Sequence, residues 1–248
     1  MGLEYFENKG ACGLFNIEHL ISIICFIALL LFFLFLSRKM TDKGFKICHI
    51  VVAIAVTVAE IIKVTLKVSA GRGPDDWLPL YYCSLFIFAI WLSLLKNKTL
   101  SAVGYSYITM GGILAGTLFT LYPSTSLGMY PFFHPSCFHS FFYHLTMVYF
   151  GILLIWKKKY QPNTKHFIHY LSFILIACVP SYFFNEWLGS NCMFLHNAFG
   201  LPILNDVLQF SHPLYMIVII IAQTFGIYWV SYGIYSLIRR KIWKTLLI

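Results

Sequence analysis

The feature of this sequence that most constrains its fold is a series of long stretches without a charged residue. The longest runs from Thr99 to Trp156 and contains no Asp, Glu, Lys or Arg. Only 11% of the 248 residues are charged, whereas soluble domains carry roughly 25%. Such a surface is too apolar for water, which excludes a soluble domain, a disordered chain and a nucleic-acid-binding protein. The sequence predicts an all-α, polytopic membrane protein.

The uncharged stretches also predict the number of membrane-spanning helices. A helix needs about 20 mostly apolar residues to cross the hydrocarbon core. The turn-rich segment Tyr122–Gly128 divides the long uncharged block into two helices. The sequence therefore predicts a single membrane domain, residues 1–248, with seven spans. Their approximate bounds are 16–37, 47–68, 78–95, 100–121, 137–156, 166–185 and 213–238.

The basic residues are distributed unevenly between the predicted loops. Most of the 18 Lys and Arg residues fall in four alternate segments, and the intervening segments hold only Lys9 and Arg72. Cytoplasmic loops carry an excess of Lys and Arg. The pattern therefore predicts an outer N-terminus, a cytoplasmic C-terminus and a multi-pass protein of the cell membrane. The four basic segments contain Arg38, Lys39, Lys43, Lys46, Lys96, Lys98, Lys157, Lys158, Lys159, Lys165, Arg239, Arg240, Lys241 and Lys244.

Cys83 and His144 lie at similar predicted depths in different spans, roughly 7 and 10 Å below the outer face. A thiol becomes a nucleophile when a neighbouring imidazole takes its proton and a third group orients the ring. Asn185, Asn191 or Glu60 is a candidate for that third group. The alternative interpretation is structural, because a membrane cysteine often acts as a small hydrophobic side chain.

Glu60, Lys63 and Lys67 recur at i, i+3 and i+7 in the second span, which is one face of a helix. They form either an internal ion pair that orients the helix or a site in which a lysine holds an anionic group such as a lipid phosphate. His212, beside the outer loops, is a further candidate for substrate binding.

A rival interpretation is a zinc site formed by His134, Cys137, His139 and His144. Zinc takes three or four such ligands in proteins. The spacing differs from compact zinc motifs, and Pro131 and Pro135 predict an irregular loop. The surrounding aromatic residues are also typical of a membrane-interface belt. We therefore predict no metal and no cofactor.

Five segments of the sequence carry recognisable motifs: Leu78–Phe86, Gly111–Pro123, Phe141–His144, Asn185–Phe194 and, more weakly, Leu208–Tyr215. These motifs resemble those of the bacterial YwaF-like integral membrane proteins, a family related to vertebrate transmembrane protein 164. The resemblance covers about residues 45–240. Many bacterial members have His where Tyr81 or Tyr82 stands here.

The resemblance implies a phospholipid acyltransferase that uses a membrane Cys and His, which match Cys83 and His144. His144 would deprotonate Cys83, and the thiolate would attack an ester of an outer-leaflet phospholipid. A lyso-lipid would leave, and a second lyso-lipid or alcohol would take the acyl chain from the thioester. Backbone amides, Asn185 or Asn191 would stabilise the oxyanion, and the lysines of the second span would hold the phosphate.

Two other classes of function remain open on the sequence. One is a transporter or binding protein with a polar cavity in the outer half of the bilayer, in which Glu60 and Lys63 form a coupling pair. The sequence shows no inverted repeat of the kind that many transporters carry. The other is a structural subunit, in which the polar layer only specifies helix packing.

Overall fold

The structure, a computed structural model, describes residues 10–198 and 202–246, and every regular element in these two ranges is helical. Six apolar stretches are long enough to cross a membrane: Ile17–Ser37, Asp42–Ser69, Lys98–Leu121, Pro135–Trp156, Thr164–Leu188 and the continuous run His212–Arg240. This confirms the predicted all-α class. In chain order the helices are α1 (Ile17–Ser37), α2 (Asp42–Ser69), α3 (Pro74–Trp77), α4 (Cys83–Ser93), α5 (Lys98–Leu121), α6 (Pro135–Trp156), α7 (Thr164–Leu188), α8 (Pro202–Phe210), α9 (His212–Ile221) and α10 (Ile227–Leu246).

The third predicted span, 78–95, is the one that differs most from the expectation. Its helix, α4, begins only at Cys83, with a 3-10 turn that continues into α-helix at Phe86. Pro79 disfavours helical backbone in the residue before it, and the backbone N–H of Met193 donates to the carbonyl oxygen of Leu80 over 3.0 Å. Residues 78–82 are therefore held against a loop from another part of the chain.

The long helices begin at polar residues that cap their first turn. Side chains of this kind accept hydrogen bonds from backbone N–H groups that have no partner inside the helix. Pro135 follows one of these caps at the first turn of α6, where proline is favoured. The capping residues are Asn16, Thr41, Asn97, His134 and Ser211.

Loop contacts define two ends of the bundle. At the basic end, where α1 ends and α2 begins, Lys157 Nζ donates to the carbonyl oxygens of Arg38 and Met40, and Lys159 pairs with Asp42 over 2.7 Å. At the loop end, where α2 ends and α6 begins, the 122–134 and 189–198 loops lie over the helices. Lys9, which entered the charge argument, lies outside the described residues.

Helix α5 is the most buried of the six long apolar stretches. Glycines allow its neighbours to approach closely, as is common between membrane helices. A Cβ atom at Gly104 would overlap the carbonyl oxygen of Ala89 in α4, and one at Gly116 would lie 2.9 Å from the carbonyl oxygen of His144 in α6. Helix α5 therefore sets the distance between the two helices that carry Cys83 and His144.

Two π-helical turns interrupt the long helices, at Tyr107–Gly112 in α5 and at Ala222–Gly226 between α9 and α10. Such turns break the regular i to i−4 bonding pattern and are frequent at functional sites. Side chains donate to carbonyl oxygens at both turns: Ser231 Oγ to Met110 and the Tyr170 hydroxyl to Gln223, each over 2.7 Å. The π turns thus create polar contacts inside the bundle.

Candidate functional site

Cys83 is the first residue of α4, is partly buried and packs against the hydrophobic core. The structure gives its thiol a hydrogen bond with the backbone of Cys83 itself. A helix N-terminus favours a negative charge and promotes formation of the thiolate. The position of Cys83 at the start of α4 favours a thiolate in this way, whereas its packing against the hydrophobic core disfavours a charge on sulfur.

A tyrosine network holds the backbone just before Cys83. The hydroxyls of Tyr82 and Tyr170 lie 2.5 Å apart, and the Tyr107 hydroxyl donates to the Tyr82 carbonyl oxygen. A Cβ atom at Gly111 would overlap the Tyr82 hydroxyl. The glycine therefore leaves the space in which this tyrosine lies, and the network fixes the start of α4.

His144 lies in α6 and is only 7% exposed. Its ring stacks on Phe119 of α5, with centroids 3.7 Å apart and planes 6° from parallel. Nδ1 lies 2.7 Å from the carbonyl oxygen of Ser140, and Nε2 is buried without a hydrogen-bond partner. Because a carbonyl can only accept, Nδ1 carries the proton in the neutral ring and Nε2 keeps a free lone pair.

The orienting group of His144 is thus the Ser140 carbonyl oxygen, rather than Asn185, Asn191 or Glu60. No hydrogen bond joins Cys83 to His144 in the described part of the chain. The structure therefore places a buried imidazole with an unpartnered Nε2 on α6 and a thiol at the start of α4, without a direct bond between them.

Tyr143 joins α6 to α4 by hydrogen bonds that the sequence did not predict. Its hydroxyl donates to the carbonyl oxygen of Ser84 and accepts from the backbone N–H of Ile87, both over 3.1 Å. Tyr143 and His144 are about 100° apart around the helix, so one residue faces α4 and the next faces α5. The Phe141–His144 motif contained both side chains, but spacing alone does not show which of them bonds to the helix of Cys83.

The charged residues of α2 form a buried cluster with α6. Glu60 is 4% exposed, Lys63 donates to its Oε1, and His139 Nε2 lies 3.3 Å from its Oε2. The His139 and Tyr143 rings are 5.5 Å apart. The internal ion pair is therefore present, and His139 joins it from the facing helix.

Lys67 lies one turn further along α2, closer to the loop end. Its Nζ donates to the Tyr130 hydroxyl over 3.3 Å and lies 5.6 Å from the centre of that ring. The ring of His134 stacks on the same tyrosine ring, with the centroids of the His134 and Tyr130 rings 4.3 Å apart. Lys67 is thus attached to the 122–134 loop.

Asn185 is 2% exposed at the end of α7. Its Nδ2 donates to the Cys192 carbonyl oxygen over 2.9 Å, and its Oδ1 accepts from Ser190 Oγ and from the Cys192 N–H. These bonds close the 189–198 loop onto α7. The amide therefore positions this loop and has little capacity left for a substrate.

Asn191, within the 189–198 loop, and His212, at the start of α9, also bond to this loop. Asn191 Oδ1 accepts from the backbone N–H groups of His196 and Asn197, and its Nδ2 donates to Asn197. His212 Nε2 lies 3.0 Å from the carbonyl oxygen of Leu195. Both residues fold the loop that covers residues 78–82.

The four residues of the rival zinc site are not gathered around one point. Within the described residues, no group of three or more His, Cys, Asp and Glu side chains could hold a metal ion. His134 stacks on Tyr130, His139 lies against Glu60, and His144 stacks on Phe119.

Long apolar helices, with charged and hydrogen-bonded groups buried between them, define a helical multi-pass membrane protein. The model of the TMEM164 family matches residues 14–240, so the chain belongs to that family. The resemblance to proteins related to transmembrane protein 164 is thereby confirmed. No curated protein and no solved structure matched the chain.

Proposed function

We propose that this protein transfers an acyl chain between phospholipids, with Cys83 as nucleophile and His144 as base. The observation that carries the proposal is the buried, unpartnered Nε2 of His144, whose ring is oriented by the Ser140 carbonyl oxygen. Catalytic contacts are often long before substrate binds, so the absence of a bond between thiol and imidazole is compatible with this role.

In the first half of the reaction, His144 Nε2 takes the thiol proton and the Cys83 sulfur attacks an ester carbonyl carbon. The carbon–sulfur bond forms, the ester carbon–oxygen bond breaks, and the lyso-lipid leaves with the proton held by His144. In the second half, an acceptor lyso-lipid gives its hydroxyl proton to His144, and its oxygen forms a bond to the thioester carbon. The carbon–sulfur bond breaks, and His144 returns the proton to the Cys83 sulfur. No cofactor is required for either half.

The oxyanion is stabilised in this proposal by backbone amides at the start of α4. The first N–H groups of a helix have no intrahelical partner, and those of Cys83 and Ser84 are closest to the thiol in the chain. Donors of this kind stabilise charge that develops in the transition state. They take the role first considered for Asn185 and Asn191, whose amides are bound within the 189–198 loop.

We also propose that the chain crosses the membrane seven times, with residues 78–93 as the third pass. Lys67, at the end of α2, contacts Tyr130, which follows α5, while His49 near the start of α2 lies 2.7 Å from Ser93. The chain must therefore return between α2 and α5. Helix α4 covers roughly 16 Å of this pass, and residues 78–82 continue it toward the loop end as a bent segment that bonds to Met193.

The activity is tested with a phospholipid labelled on one acyl chain and an unlabelled lyso-lipid, supplied to the purified protein. We expect label on the acceptor with the unmodified chain and with Cys178→Ser, a cysteine buried in α7. Cys83→Ser should abolish transfer, and His144→Gln should lower it by roughly 10²- to 10⁴-fold, the usual contribution of a general base. Equal transfer by Cys83→Ser would exclude the cysteine nucleophile.

A second candidate function is ligand binding or transport, which the buried cluster of Glu60, Lys63 and His139 favours. Ionisable groups within membrane segments often mark ion or substrate pathways. Charge movement on addition of a ligand, without acyl transfer, would favour this function. Loss of a partner protein on deletion, with unchanged lipids, would instead indicate a structural subunit.

A further inference from the structure

Helices α1, α2 and α6 surround an apolar cavity of about 650 Å³. Its walls include Phe26, Val52 and Leu145. Two other wall residues, Leu29 and Phe33, are 46% and 39% exposed, so the cavity opens sideways between α1 and its neighbours. Its volume is within the range of roughly 300–1,000 Å³ that ligand sites occupy, and its lining suits a hydrocarbon chain.

A second cavity, of about 260 Å³, adjoins the first between α2 and α6. Its lining includes Lys63, Lys67 and His139, and it lies closer to the loop end. Phe138 and Phe142 line both cavities. The two adjacent cavities, together called the groove below, combine a basic mouth with an apolar remainder, which is the polarity of a lipid molecule.

The charges at the mouth favour an anionic group. No Asp or Glu belongs to the lining of either cavity, all of which lies in the described chain. Glu60 lies beside this lining and accepts a hydrogen bond from the Lys63 ammonium group, which is the one bond of that group that the structure describes. An ammonium group has three donors, so Lys63 can bind a phosphate oxygen while it remains paired with Glu60. Lys67 can likewise add its charge while it contacts Tyr130.

The length of the groove fits one leaflet of a bilayer. From Lys63, in the lining of the smaller cavity, to Cys48, at the far end of the larger one on α2, the helix rises about 22 Å. Half of a hydrocarbon core is only about 15 Å deep. A phosphate at the mouth therefore leaves enough groove for an acyl chain to extend through its own leaflet.

We propose that this groove binds one anionic phospholipid, with its phosphate at Lys63 and Lys67 and one acyl chain between α1, α2 and α6. A net negative headgroup is favoured over a zwitterionic one because the cationic mouth repels an added amine. The inference does not depend on acyl transfer, since neither Cys83 nor His144 lines the groove.

The headgroup part is tested by native mass spectrometry of the detergent-purified full chain. Phosphatidylglycerol and phosphatidylcholine with identical acyl chains are added at equal concentration. We expect preferential retention of phosphatidylglycerol, reduced roughly fivefold by Lys63→Gln or Lys67→Gln and kept by Lys63→Arg. Equal retention of the two lipids by the unmodified chain would overturn the proposal, as would an undiminished preference in both Gln variants. Water-soluble glycerophosphoglycerol should not compete, and efficient competition would show a site for the phosphate alone.

The apolar part is tested by filling the groove. Ala55 lines the large cavity, whereas Val58 lies on the same helix, is 48% exposed and lines neither cavity. Ala55→Trp should lose most of the bound phosphatidylglycerol, and Val58→Trp should retain it. Equal binding by these two variants would contradict an acyl chain in the groove. Cys83→Ser should bind lipid normally, so failure of acyl transfer and failure of this site are distinguishable.

Discussion

At the scale of single residues, the clearest relationship is between Tyr143 and the start of α4. The Tyr143 hydroxyl bonds to Ser84 and Ile87, so it ties α6 to the turn that carries Cys83. His144, the next residue, is held by Ser140 and Phe119 instead. Two adjacent side chains of one motif thus make different contacts: Tyr143 bonds to the helix that begins at Cys83, and His144 keeps a buried nitrogen without a hydrogen-bond partner.

Tyr143→Phe should therefore impair acyl transfer more than it impairs folding. Interhelical hydrogen bonds in membranes contribute about 0.6 kcal/mol on average and at most about 1.7 kcal/mol to stability. We therefore expect the free energy of unfolding to fall by about 1 kcal/mol. The control is Tyr228→Phe, which removes a hydroxyl bonded to the Asn163 carbonyl oxygen. Stability is measured by unfolding in mixed micelles, and transfer with the labelled phospholipid. Equal effects of the two variants on transfer would contradict a positioning role for Tyr143.

At the scale of elements, the packing of α5 against α4 decides where the site lies. Gly104 is in contact with the backbone of α4 at Ala89 and Ser93. The predicted span at 78–95 correctly anticipated an apolar segment here. It could not anticipate the late start at Cys83, because the bond between Leu80 and Met193 joins residues that are distant in sequence.

Gly104→Ala should destabilise the protein by about 1–3 kcal/mol, the usual cost of overpacking. The added Cβ would overlap the Ala89 carbonyl oxygen and lie 2.7 Å from the Ser93 nitrogen. Gly233→Ala is the matched control, because a Cβ there meets nothing within 4 Å. Unfolding in mixed micelles should separate the two variants. If both were equally stable, the close contact of α4 and α5 would be refuted.

At the scale of the whole molecule, the two ends of the bundle differ in charge. Contacts of Lys157 and Lys159 join the basic loops at one end, and Lys67 joins the 122–134 loop at the other. Because positive loops stay in the cytoplasm, the loop end should face outward. The site at Cys83 and the mouth of the proposed lipid groove would then both be reached from the outer side.

This orientation predicts which introduced cysteines react with a membrane-impermeant thiol reagent in intact cells. Met129→Cys, at a position that is 61% exposed on the loop end, should be labelled directly. Lys96→Cys, an exposed position between α4 and α5, should be labelled only after permeabilisation. The unmodified chain gives the background from its native cysteines. The reverse pattern would show that the topology is the opposite of the one proposed. Labelling of both positions from the same side would show that residues 78–93 do not cross the membrane.

The sequence by itself determined the class of protein and most of the long helices, and it singled out the polar residues that are candidates for a site. These follow from the length of apolar stretches and from residue type, which are local properties. Only the tertiary structure decided which of those residues face one another. Ser140 orients His144, Asn185 and Asn191 close a loop, and His139 joins Glu60. These partnerships depend on helix rotation and on contacts between distant segments, which spacing along one helix does not specify.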